Sequence, residues 1–223
     1  MTLLTHIHKK NKEIARRYAT YSKNPYFLKA FTLSLPLAIA GFIVNLYAIH
    51  FATEHASNAV TDLILSNTPV FDVDQLFVYG TFAVAAITAL FCFAHPKRIP
   101  FALYTLALFY LIRSGFVSLT HIAPFEPHLV TDFGANINKA FFGGDRFFSA
   151  HTGMPFLAAL AFWDNKMVRY FFLGASFFFG VIVLLGHLHY SIDVLSAFFI
   201  TYAIYDLAKW LFPKAHALFS SSD

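Results

Sequence analysis

Residues 143–153 read GGDRFFSAHTG and residues 186–194 read GHLHYSIDV, with two apolar runs and a short polar turn between them. That interval is long enough to cross a bilayer and return, at about 20 apolar residues per helical crossing. Its two histidine-bearing ends, at His151 and His189, are therefore predicted to meet on one membrane face. The rest of the chain reads as the scaffold that holds this pair.

The chain is 58% hydrophobic and only 13% charged, more apolar than a single soluble core requires, which places it among multi-span membrane proteins. Phe dominates the aromatics, as suits lipid-facing and tightly packed helix surfaces. The single cysteine, Cys92, excludes an intrachain disulfide and lies in an apolar run, where it reads as packing. The net charge of +4 reflects basic residues in short loops and gives no indication of nucleic-acid binding.

Residues 1–27 carry Lys9, Lys10, Lys12, Arg16, Arg17 and Lys23, with Leu4, Ile7, Ile14 and Tyr18 near helical spacing. This predicts an amphipathic helix lying on the anionic cytoplasmic leaflet. Spans are predicted at about 28–51, 76–94, 101–122, 148–163, 170–185 and 190–212. The fold class is thus all-α, a six-transmembrane-helix bundle over 28–213 with a short tail at 214–223. HPKRIP (95–100) and DNKMVR (164–169) supply the prolines, charges and polar residues that end one helix and start the next. The long loop that begins APFEP at Ala123 is unusual in so compact a chain and reads as a working part. No second domain and no internal repeat is visible.

Charge sets the orientation. A cytoplasmic N-terminus puts thirteen of the sixteen Lys and Arg residues on the inner side; only Lys139 and Arg146 face outward, and Arg113 lies within the third span. Both histidine motifs then face the periplasm, lumen or cell exterior. The short chain and compact loops fit a bacterial cytoplasmic membrane.

His189 and Asp193 are one turn apart at the start of a helix and share a face. A carboxylate at that depth needs a partner, and the imidazole N–H is the one within reach. Such a contact fixes the tautomer and leaves the other ring nitrogen as nucleophile or base. Taken alone, the pair could equally be a polar lock on the helix. His151 follows Ser149, a good N-cap residue, and a helix N-terminus beside Gly143-Gly144, Arg146 and Lys139 suits a phosphate. Arg113, rare within a span, is placed within reach of that phosphate or in a structural pair with Asp193. A metal reading would draw on His187, His189 and Asp193, but without Cys or a carboxylate cage no metal or other cofactor is expected. His50, His55, His95, His121 and His128 read as interfacial or loop histidines.

GDRFFSAHT followed by HYSID resembles the sphingomyelin synthase branch of the lipid phosphate phosphatase superfamily, the type 2 phosphatidic acid phosphatases. That branch carries Gly-Asp-x-x-x-Ser-Gly-His-Thr and His-Tyr-(Thr/Ser)-(Ile/Val)-Asp around six spans. PVFDVDQL, with Pro69 and Asp72, is similar to the family's Pro-x-x-Asp motif, and YLIRSGFVSLTHIAP to its third-span motif, carrying the arginine onto Arg113. Ala150 stands where the family usually has glycine, which narrows the backbone's approach to a phosphate. Lys139 and Arg146 have the spacing of the phosphatase motif Lys-x6-Arg-Pro, but Phe147 follows, and no Ser-Arg pair precedes His189 at the phosphatase spacing. Both departures favour the synthase-like branch.

The resemblance implies a metal-independent enzyme in which His189, oriented by Asp193, attacks a lipid phosphate. His151 protonates the departing lipid alcohol, while Arg113 and Arg146, with Lys139 and Ser149, hold the phosphoryl oxygens. The expected partners are a phospholipid or lipid phosphate, surrounding membrane lipid, and a lipid alcohol or water as acceptor. A lipid phosphate monoester phosphatase would use the same residues. A non-catalytic lipid binder or transporter is the rival from another class, and discontinuous helices or a repeat would favour it.

Overall fold

The computed structural model describes residues 3–127 and 147–221. The described chain is helical: α1 (Leu3–Tyr21), α2 (Pro25–Glu54), α3 (Asp74–Phe93), α4 (Ile99–Leu119), α5 (Ala150–Ala161), α6 (Lys166–Leu185), α7 (Ser191–Leu211) and α8 (Pro213–Ser220), with single 3-10 turns at Leu65–Asn67 and Pro96–Arg98. Lys139, Arg146 and most of the long loop lie outside the described residues.

Local chemistry sets the helix starts. Asn24 caps α2 by accepting from the amides of Tyr26 and Phe27 at 2.9 and 3.1 Å, with Pro25 in the first turn. Asn165 caps α6 through the Val168 amide. α2 packs along α4 through a stripe of small residues, Ala30, Ser34, Ala38, Gly41, Asn45 and Ala48, spaced three or four apart. Small residues let apolar helices approach closely where no hydrophobic force separates lipid from protein. Gly41 shows how close: a Cβ there would lie 3.0 Å from the Ala107 carbonyl oxygen.

Among the described residues five helices, α2, α3, α4 with its preceding turn, α6 and α7, are long and apolar enough to cross a bilayer, marking an integral membrane protein. The expected fourth span differs. α5 has 12 residues, about 18 Å at 1.5 Å per residue, because Phe147–Ser149 enter it as non-helical backbone and the chain turns at Phe162. It packs between α6 and α7, and the Ser176 hydroxyl in mid-α6 donates to the Thr152 carbonyl at 2.7 Å. Ser176 is nine residues before the end of α6, so the first turn of α5 lies roughly 14 Å below that end.

Both described termini meet at the Pro96–Arg98 turn. Tyr18 and Arg17 of α1 donate to the carbonyls of Phe93 and Ala94. From the other side Lys97 donates to the Ser221 carbonyl, and the Arg98 guanidinium stacks on Phe162 and Phe219. After α7 the described chain continues in α8, which buries Ala215 and Phe219 against the bundle.

Candidate active site

The opposite end of the bundle is built around the connection between α6 and α7. After Gly186 the chain folds back, with the Leu188 amide donating to the Val183 carbonyl at 2.8 Å. His187 adopts φ 51°, a left-handed conformation that costs a non-glycine residue energy and needs support. Its ring supplies that support: Nδ1 lies 2.8 Å from the Pro127 carbonyl oxygen and Nε2 3.0 Å from that of Thr68. Both ring nitrogens of His187, weighed above as a metal ligand, thus face backbone carbonyls. Among the described residues no group of three or more His, Cys, Asp or Glu is arranged to hold a metal.

The fold-back delivers His189 to a position just before the first turn of α7, where it is 3% exposed, and Asp193 within that turn is fully buried. Nδ1 of His189 lies 3.4 Å from Oδ2 of Asp193, and the same oxygen accepts the Tyr190 amide at 2.9 Å. Only an N–H can face a carboxylate oxygen in this way, so the geometry directs the ring's lone pair to Nε2.

α5 brings His151 from the other side. Ser149 caps the helix by accepting from the Thr152 amide, and its own amide donates to the Asp193 carbonyl at 3.2 Å, tying the start of α5 to the first turn of α7. His151, in that first turn, places its ring centroid 6.3 Å from that of His189 and 4.3 Å from that of Phe77 on α3. Ala150, where the resemblance leads one to expect glycine, opens the helix against the Phe109–Phe148 cluster.

Arg113 braces this corner from α4. It is 1% exposed, donates through Nε to the Phe148 carbonyl at 3.0 Å and through Nη1 to Oδ1 of Asn45 on α2 at 3.1 Å. The structure thus gathers His151, His189, Asp193 and Ser149 and sets Arg113 behind the backbone that leads into α5; Lys139 and Arg146 fall outside the described residues.

Two residues on the page were not in the expected set. Asn45 looks like one more polar residue in an apolar run, and only the fold reveals its arginine. Asp62 reads as a loop acid but is buried: Oδ1 accepts the amides of Ile64 and Leu65, while Oδ2 accepts both the amide and hydroxyl of Ser191 at 2.8 Å. Burial alone would raise its pKa, yet those donors outweigh burial and hold it below the ordinary carboxylate value. The local half of this pattern, an Asp whose side chain caps the amides two and three residues on, has a sequence signal; the bond to Ser191 has none.

Residues 143–211 match the family model described as PAP2 superfamily C-terminal. The matched segment runs from the Gly-Gly before Ser149 to the end of α7, so it contains both histidines, Asp193 and Ser149. It supports membership of the PAP2 superfamily, whose members are generally phosphatases and phosphotransferases. No curated protein and no solved structure matches the chain.

Proposed function

We propose that this chain is a membrane enzyme that transfers or hydrolyses a lipid phosphate head group through a phosphohistidine intermediate, as a sphingomyelin synthase-like member of the PAP2 superfamily. The observation that carries the reading is the meeting of His151 and His189, 38 residues apart in sequence, with the Asp193 carboxylate behind the second ring.

In the first half-reaction Nε2 of His189 attacks phosphorus, at a near-attack distance of about 3–3.5 Å. The P–N bond forms as the bond from phosphorus to the lipid oxygen breaks, and His151 donates a proton to that oxygen across about 2.6–3.2 Å. Asp193 holds the Nδ1 proton and compensates the charge that develops on the ring. The second half runs the geometry backward. His151 takes the proton from a lipid alcohol or water, the new oxygen bonds to phosphorus, and the P–N bond breaks. The α5 N-terminus directs its first-turn amides at the phosphoryl oxygens, joined by Arg146 and Lys139. Arg113 serves this cradle by fixing the carbonyl of Phe148.

The chain crosses the membrane six times in this reading, α5 being a shortened fourth crossing, with α1 on the cytoplasmic leaflet and both termini inside. The distribution of basic residues supports it, as does the meeting of α1 and α8 at one turn, remote from the histidines.

The test is incubation of purified wild type and His189→Ala with a panel of labelled phospholipids, with and without diacylglycerol or ceramide, reading lipid products and free phosphate together. A head group moved to the added acceptor, and lost in the variant, supports the synthase. Free phosphate released from a monoester supports instead the phosphatase that the broad superfamily match would equally accommodate. Full activity in folded His189→Ala overturns the site, and lipid uptake into vesicles without chemical change replaces the reading with transport.

A further inference from the structure

The dyad straddles the start of α7, with His189 just before it and Asp193 in its first turn, and what holds that turn comes from elsewhere in the chain. The backbone from Val60 to Leu65, between α2 and α3, grips it at two adjacent residues. The Val60 amide donates to the Tyr190 hydroxyl at 3.3 Å, and that hydroxyl donates to the Ala123 carbonyl at 2.8 Å. Next to it, one Asp62 oxygen takes both donors of Ser191, while the other caps the turn at Leu65–Asn67. Ser191 is the first residue of α7, two residues from His189 on one side and from Asp193 on the other. Asp193 in turn accepts, at its backbone carbonyl, the Ser149 amide that starts the helix of His151.

We propose that Asp62 is a positioning residue: by anchoring Ser191 it fixes the angle of the α7 first turn, and so the separation of the His189 and His151 rings. The inference rests on the catalytic reading of that pair. Asp62 touches neither ring in any contact described above; its effect passes through Ser191, the Asp193 carbonyl and Ser149. A carboxylate suits the task because it can accept from two segments at once. One oxygen belongs to the loop and the other to the helix, so loop and helix move together. Asparagine retains one accepting oxygen and so can keep only one of the two attachments.

The experiment compares Asp62→Ala, Asp62→Asn and Ser191→Ala with wild type, using the labelled lipid that wild type turns over and purified protein whose folded fraction is measured for each variant. Expected are a fall in kcat of tenfold or more for Asp62→Ala with KM within twofold, partial recovery in Asp62→Asn, and a fall of a few-fold in Ser191→Ala, which removes one donor only. A second readout is independent of turnover: the imidazole resonance of His189, assigned by its loss in His189→Ala, should shift or broaden in Asp62→Ala. An unchanged kcat with an unmoved His189 resonance in folded Asp62→Ala overturns the inference and leaves the catalytic reading standing. If wild type acts on no lipid in the panel but the resonance still moves, the positioning role stands and the catalytic reading falls. Loss of activity only in proportion to loss of folded protein, with the resonance unmoved, also overturns it.

Discussion

His189, just ahead of α7, reaches back to Asp193 in its first turn, with Nδ1 of the imidazole 3.4 Å from a carboxylate oxygen that the Tyr190 amide also occupies at 2.9 Å. The imidazole contact is long for a hydrogen bond, as is common before substrate binds, and the amide contact prevents the carboxylate from turning away. Asp193→Asn keeps the shape and one accepting oxygen but removes the negative charge that holds the Nδ1 proton and compensates charge on the ring. Turnover is expected to fall by about 10²–10⁴-fold, the range for loss of an oriented acid–base group. Steady-state kcat on the labelled lipid, set against a thermal unfolding curve, checks it.

The two histidines should fail differently. A phosphodiester with a nitrophenol leaving group needs little protonation to depart, so it should restore much of the activity of His151→Ala and none of that of His189→Ala. Acid-labile phosphate on the protein, trapped by rapid quenching, should be absent from His189→Ala. Equal rescue of both variants would remove the assigned division of roles.

Gly153 lies on α5 where it meets α4 and α7. A Cβ there would lie 2.7 Å from the Thr201 hydroxyl and 3.1 Å from the Phe109 ring. Gly153→Ala should therefore destabilise by about 1–3 kcal/mol, the usual cost of overpacking, visible as a lowered unfolding temperature in detergent. Adding Thr201→Gly should return part of the loss, because it removes the nearer obstacle.

Asn45→Leu keeps the branched outline of the side chain, with some added volume, and deletes the oxygen that faces Arg113. The expected cost is about 1–3 kcal/mol for depriving a buried donor of its acceptor. Asn45→Asp keeps the oxygen at nearly the same volume, so a thermal-shift series across the two variants separates the change in size from the lost hydrogen bond.

Asp62 also sets an acid limit. Its folded-state pKa is depressed, so its stabilising contribution is complete above the unfolded carboxylate value of about 4 and is lost as pH falls through the lower folded value. The gap in unfolding temperature between wild type and Asp62→Asn should hold steady above about pH 4 and narrow as pH falls from there through the lower folded value. Chemical unfolding at stepped pH would serve equally.

The apolar runs and their turns are legible because twenty-residue hydrophobic stretches have few alternatives, and five of them are helices of that length. α5 is different. Phe148 to Trp163 has the composition of a span, but the sequence gives no sign that the Phe148 carbonyl is claimed by Arg113 and the Ser149 amide by Asp193. Those two bonds hold the approach to α5 out of helical conformation. The meeting of His151 with His189 is legible because the two apolar runs between them carry the chain away and return it to the end at which it started. Arg113 was visible as an anomaly, its partners Asn45 and Phe148 were not, and Asp62 was hidden for the same reason. Contacts between residues more than 30 positions apart leave no periodicity to read. α8 escaped because eight residues are too few for a pattern, and its burial depends on Arg98 and Phe162 being where they are.

The shortness of α5 decides the electrical surroundings of whatever binds at its N-terminus. That end lies roughly 14 Å below the tip of α6 beside the buried Ser149, His189 and Asp193, and salt screens buried charges far less than exposed ones. Counter-ions from the bulk therefore contribute little there, and negative charge arriving on a phosphoryl group is met by oriented amides and imidazoles already in place. Chemistry at this depth should proceed at nearly the same rate in dilute buffer and in half-molar salt, while lipid capture at the membrane surface, where the charges are exposed, should not.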